Sequence, residues 1–94
     1  MKENRMQIIK DFEKLLRSTR EFSDVVITYG GMVYENGKQK FVPSDHILSE
    51  ENDPREFVFV RWEGAGPWYG VYQSVEADSG SGLIQDIWKA VNKL

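Results

Sequence analysis

The chain reads as an α+β domain: an antiparallel sheet of four to five strands, meander plus hairpin, flanked by N-terminal and C-terminal helices in the order αβββββα. Three features predict it. Apolar residues recur at helical spacing near both ends, the period switches to two from Val25, and Asn36-Gly37 stands between two alternating runs as a hairpin turn. Ninety-four residues make one domain, residues 1–94, and a chain of this size buries only about 60–65% of its unfolded surface.

The first element is an amphipathic helix from about Asn4 to Arg20. Ile8, Phe12, Leu15 and Leu16 follow the i, i+4, i+7, i+8 pattern of a core-facing stripe, with Ile9 flanking it. Glu13 precedes Arg17 by four residues, the favourable order for an ion pair along a helix, and Lys10, Lys14 and Arg17 line the opposite edge. Ser23-Asp24 ends the helix.

Three strands follow, VVITY, MVYE and KQKFV, with turns at Gly30-Gly31 and Asn36-Gly37. Pairing across both turns puts Val25, Ile27, Tyr29, Met32, Tyr34 and Phe41 on one face. The other face takes Thr28, Glu35, Lys38 and Lys40 with Val26, Val33 and Val42. A competing reading keeps 25–35 as one long strand with a glycine bulge.

Residues 43–56 are a polar connection with two prolines. The next two strands, FVFVRWE and WYGVYQSV, are joined through Gly64-Ala65-Gly66-Pro67. Their register sets Trp62 opposite Tyr69, Val60 opposite Val71 and Phe59 opposite Tyr72. One face of this 57–75 hairpin then holds Val58, Val60, Trp62, Tyr69 and Val71. The other holds Phe57, Phe59, Tyr72, Arg61 and Ser74, with Trp68 near the turn. The last element, LIQDIWKAVNKL, is a second amphipathic helix with Ile84, Ile87, Trp88 and Val91 on one face and Leu83, Ala90 and Leu94 at its margin. Ser81 is the expected N-cap, and Lys89 and Lys93 suit the negative end of the helix dipole. Both helices are expected on the same face of the sheet.

Composition excludes several chemistries. Without cysteine there is no disulfide framework and no thiolate metal site, which fits a reducing cytoplasm. One histidine and scattered carboxylates match neither a zinc site nor an EF-hand loop, so no metal and no cofactor is expected. The N-terminal segment lacks the apolar core of a signal peptide, and no apolar run is long enough to span a membrane. The net charge is −3, divided as +3 over residues 1–20 and −6 over the rest, a balance unsuited to general nucleic-acid binding. His46 lies beside Ser44 and Asp45, but adjacent side chains point apart and do not assemble a triad. An enzyme using His46 is therefore the least favoured reading, and no catalytic residue is assigned.

The binding candidates cluster on the aromatic hairpin. Arg61, Trp62, Trp68, Tyr69 and Tyr72 are of the types enriched at binding hot spots, and alternation sends apolar residues to both faces of the hairpin although a one-sided sheet needs only one. Glu50, Glu51 and Asp53 form a candidate acidic patch for a basic partner. Ser79, Gly80, Ser81 and Gly82 could cradle an anion at a helix start.

By its size, acidity and want of catalytic groups the chain resembles, only as a class, small bacterial or phage accessory proteins that act by binding, such as inhibitors and immunity proteins. That resemblance implies a protein partner, and the two-faced hairpin implies a homodimer. The alternative is a binder of a small nucleotide-like ligand, held between Trp62, Trp68, Tyr69 and Arg61 and the glycine-rich segment 79–82.

Overall fold

A computed structural model describes residues 5–43, 56–66, 69–75 and 79–94. Two helices, α1 (Arg5–Arg17) and α2 (Gly80–Asn92), flank four strands, β1 (Val25–Glu35), β2 (Lys38–Pro43), β3 (Glu56–Trp62) and β4 (Gly70–Val75). The sheet is antiparallel throughout, in the order β2-β1-β3-β4. The α+β class and flanking helices are as expected, and the strand count is the lower of the two values. The described chain is a slab only 18 Å thick between Cα extremes, room for one sheet and one helix layer.

The missing fifth strand is the Gly30-Gly31 turn, which does not form. β1 runs straight through both glycines for 11 residues. It pairs with β3 from Val25 to Gly31 and with β2 from Gly30 to Glu35, without a bulge. Side chains after Gly30 therefore sit on the face opposite to the one a turn would give. Met32 and Phe41 share a face with Val26 and Thr28, while Lys40 and Val42 share one with Ile27 and Tyr29. The Asn36-Gly37 hairpin is as expected: both residues have positive φ, 53° and 79°, as a type I′ turn requires.

The core lies between helices and sheet. Val25, Ile27 and Tyr29 of β1 and Val58 and Val60 of β3 meet Ile9 and Leu16 of α1 and Leu83, Ile87, Ala90 and Val91 of α2. The buried stripe of α1 is rotated from the expected one. Ile9 is 2% exposed whereas Leu15 is 61% exposed. In α2, Ile84 and Trp88 are likewise partly exposed, and the stripe centres on Ile87. Helix α1 stops at Arg17, three residues short of the expected Arg20, and there the Ser18 and Thr19 hydroxyls donate to the carbonyls of Leu15 and Leu16. Helix α2 is capped by Ser79 instead of Ser81: the Ser79 hydroxyl accepts from the Gly82 N–H at 3.1 Å. Glu13 and Arg17 do not pair with each other. Glu13 accepts from the Ile27 N–H at 2.7 Å, and Arg17 donates to the Val25 carbonyl and to Glu63.

Candidate functional site

No described element packs on the second face of the sheet, and a cluster of aromatic rings lies there. The expected register of the β3–β4 hairpin holds: Phe59 opposes Tyr72 and Val60 opposes Val71, with the described ladder ending at Arg61 and Gly70. Phe59 and Tyr72 stack with ring centroids 4.4 Å apart at 22°. Phe41 joins them from the far side of β1, 5.3 Å from Tyr72 and 5.9 Å from Phe59.

Two glycines make this cluster possible. The ring of Phe59 leans over Gly70, where any Cβ would collide with it. The ring of Phe41 crosses β1 over Gly30, where a Cβ would collide with the Val42 carbonyl oxygen and come within 2.9 Å of Phe41 Cζ. Missing side chains on β1 and β4, each next to the strand that bears the ring, thus leave slots into which the rings settle. Phe59 becomes 5% exposed although it lies outside the helix-covered core, while Tyr72 above it is 42% exposed.

Beside the rings is a groove of about 260 Å³ lined by Thr28, Phe41, Pro43, Phe59, Arg61 and Tyr72. Arg61 is anchored at its rim, with Nη1 donating to the Trp62 and Ala65 carbonyls at 3.4 and 3.3 Å. Among the described residues that register assigns to this face, Arg61 alone is charged, in a chain in which 29% of residues are charged.

The other candidates are dispersed. Trp62 lies on the helix side, stacked against Phe22 at 6.4 Å and 8°, with Trp88 meeting Phe22 edge-on at 5.7 Å. Tyr69 is 75% exposed and lines a second, shallower depression with Trp62, Gly70, Val71, Lys93 and Leu94. Arg61 and Tyr72 are thus together, and separate from Trp62 and Tyr69. Ser79, Gly80, Ser81 and Gly82 form the start of α2, where the Gly82 N–H is already engaged by Ser79. That segment follows the Val75 end of β4, whereas Arg61 pairs with Gly70 at the opposite end, about 17 Å away along the strand. The aromatic hairpin and the glycine-rich segment are not brought together. Trp68, Glu50, Glu51 and Asp53 lie outside the described residues, as does His46. Among the described residues no group of three or more His, Cys, Asp or Glu could hold a metal, and no helix is long and apolar enough to cross a membrane.

Sequence reasoning missed Thr28, Phe41 and Pro43 as groove residues. The glycine pair read as a turn had put Phe41 on the wrong face, and the long-strand alternative was the signal that would have found it. It also missed a buried polar cluster on the helix side. The Tyr29 hydroxyl donates to Glu56 Oε1 at 2.6 Å, and Arg5 Nε lies 3.5 Å from Glu56 Oε2. Burial, then the hydrogen bond to Glu56 and its charge, push the Tyr29 phenol well above the usual tyrosine range, with Arg5 opposing them. The three residues come from α1, β1 and β3, so no local pattern announces them.

Fold and site define a two-layer α+β protein with one sheet face given over to an aromatic, charge-poor surface. No protein-family model, curated protein or solved structure matches this chain.

Proposed function

We propose that this protein acts by binding another protein, without catalysis, and that the aromatic face of its sheet is the interface through which it also forms a homodimer. One observation carries the reading: a face bearing Phe41, Phe59, Tyr72 and Met32, with Arg61 as its single described charge. Interface centres are depleted of charge and enriched in aromatic residues, Met and Arg. Two such faces would pack sheet on sheet at about 10 Å, leaving the helices outside. An inhibitor- or immunity-like role in a bacterial or phage cytoplasm accords with the small, acidic chain.

Sedimentation equilibrium of the wild type, Tyr72→Ala and Trp88→Ala tests it. Tyr72→Ala is expected to weaken self-association about tenfold or more, the effect of losing one anchor residue, while Trp88→Ala, on the helix side, leaves it unchanged. A wild type that stays monomeric up to its solubility limit would remove the homodimer. Equal effects of the two substitutions would move the interface off this face.

A second reading rests on the groove itself. Stacked rings beside an arginine suit a planar anionic ligand, but about 260 Å³ is below the usual range of ligand pockets. It would take a ring, not a whole nucleotide. Native mass spectrometry of protein purified from its host checks this, and a clean apo mass removes it.

A further inference from the structure

Among the described residues β1 is an inner strand only in part. β3 runs along one of its edges from Val25 to Gly31, but on the other edge β2 begins pairing only at Gly30. Among the described residues no strand pairs with the stretch Val25–Tyr29 along that edge. This stretch, VVITY, has the composition most prone to pairing with another strand: three β-branched aliphatic residues, a threonine and a tyrosine, with no charge, proline or glycine. An open edge of that composition is a template for strand addition.

Two side chains of α1 occupy the positions a neighbouring strand would fill. The Glu13 carboxylate accepts from the Ile27 N–H at 2.7 Å, where an incoming carbonyl would sit. The Arg17 guanidinium donates to the Val25 carbonyl at 3.1 Å, where an incoming N–H would sit. Arg17 is itself held by Glu63 at 3.0 Å, beyond the end of β3, so α1 and both central strands fix its position. The spacing is that of one strand's bonding row, in which alternate residues turn their N–H and C=O to the same edge. One helix turn separates the two side chains, and their targets lie two positions apart on the strand.

We infer that Glu13 and Arg17 form an edge guard, two charged side chains that satisfy the backbone of β1 and exclude strand addition there, and that what they exclude is a second copy of this chain. A two-fold axis at Ile27 would bring Val25–Tyr29 of two copies together antiparallel, since any segment can pair antiparallel with itself. Adding that copy requires breaking both side-chain bonds and bringing two carboxylates and two guanidiniums onto one short ladder. The inference is independent of the aromatic sheet face and concerns a different surface.

The test uses Glu13→Ala/Arg17→Ala in a Tyr72→Ala background, which weakens association through the sheet face. Backbone hydrogen exchange is read at the Ile27 amide, with sedimentation velocity at low and high protein concentration. At low concentration the Ile27 amide is expected to exchange about tenfold faster than in the parent, the loss of one bond to a charged acceptor. At high concentration the variant is expected to dimerise with Ile27 protected again, while the Tyr72→Ala parent stays monomeric. Glu13→Gln, which keeps an oxygen to accept the same N–H, restores slow exchange, and if the double substitution fails to fold the single Glu13→Ala is read against it. Unchanged Ile27 exchange in folded Glu13→Ala overturns the guard. So does a folded double variant that stays monomeric wherever the parent does, or a dimer in which Ile27 is not protected.

Discussion

Tyr29 donates to a carboxylate that also faces Arg5, in a site where all three side chains are buried. Tyr29→Phe removes the donor and leaves one Glu56 oxygen without it, so a loss of about 1–3 kcal/mol at neutral pH is expected in urea unfolding. The pH dependence has a definite sign. The phenol's folded value is raised, so its contribution is fully present below the unfolded tyrosine value of about 10 and declines as pH rises above it. The wild type should lose stability more steeply than Tyr29→Phe in that alkaline window. Parallel curves would mean that Tyr29 does not titrate differently in the two states. Gly70 is a second position where one atom matters. Gly70→Ala puts a methyl into the Phe59 ring, and overpacking of this kind costs about 1–3 kcal/mol. Thermal unfolding measures it, and Gly70→Ala at wild-type stability would show that the ring has somewhere else to go.

At the scale of the element, α1 separates periodicity from burial. Ile8, Ile9, Phe12, Leu15 and Leu16 form an apolar arc wider than the contact α1 makes with the sheet, and neighbouring helix α2 decides which part is covered. Ile9→Ala is expected to cost about 2–5 kcal/mol, as core truncations do, while Leu15→Ala stays within about 0.5 kcal/mol, as exposed substitutions do. Chemical denaturation of the pair checks the order, and equal losses would mean Leu15 is covered in solution. β1 shows the same limit differently. Gly30-Gly31 is a common hairpin sequence, yet strands on both edges hold it extended, and the missing side chain at Gly30 is used by Phe41 instead of by a turn.

Across the whole molecule, two faces of one sheet have been put to different uses. One carries the aliphatic core under both helices, and the other carries rings and a single described charge. Association through such a face should depend little on charge. For the proposed homodimer, the dimerisation constant is expected to change by less than about twofold between low and high salt, because screening acts on exposed charges and not on apolar contact. A steep weakening with salt in sedimentation equilibrium would point to the charged helix surfaces instead.

How much of this was legible follows from the range over which each signal acts. The helices, the 36–37 turn and the register of the 57–75 hairpin are set by nearest neighbours: 3.6-residue spacing, positive φ at two turn residues, and alternation across a short loop. Arg61 and Tyr72 could be put on one face because they belong to that hairpin. Phe41 was not, since its place depends on β1 passing unbroken between two strands that are distant in sequence. The sequence by itself determined the α+β class, the two terminal helices, the 36–37 turn and the supply of aromatic residues in excess of one core. Tertiary structure alone decided which rings share a face, which part of the helical arc is buried, and which edge of β1 needs Glu13 and Arg17. Those outcomes depend on contacts between segments far apart in the chain, and local periodicity holds no record of them.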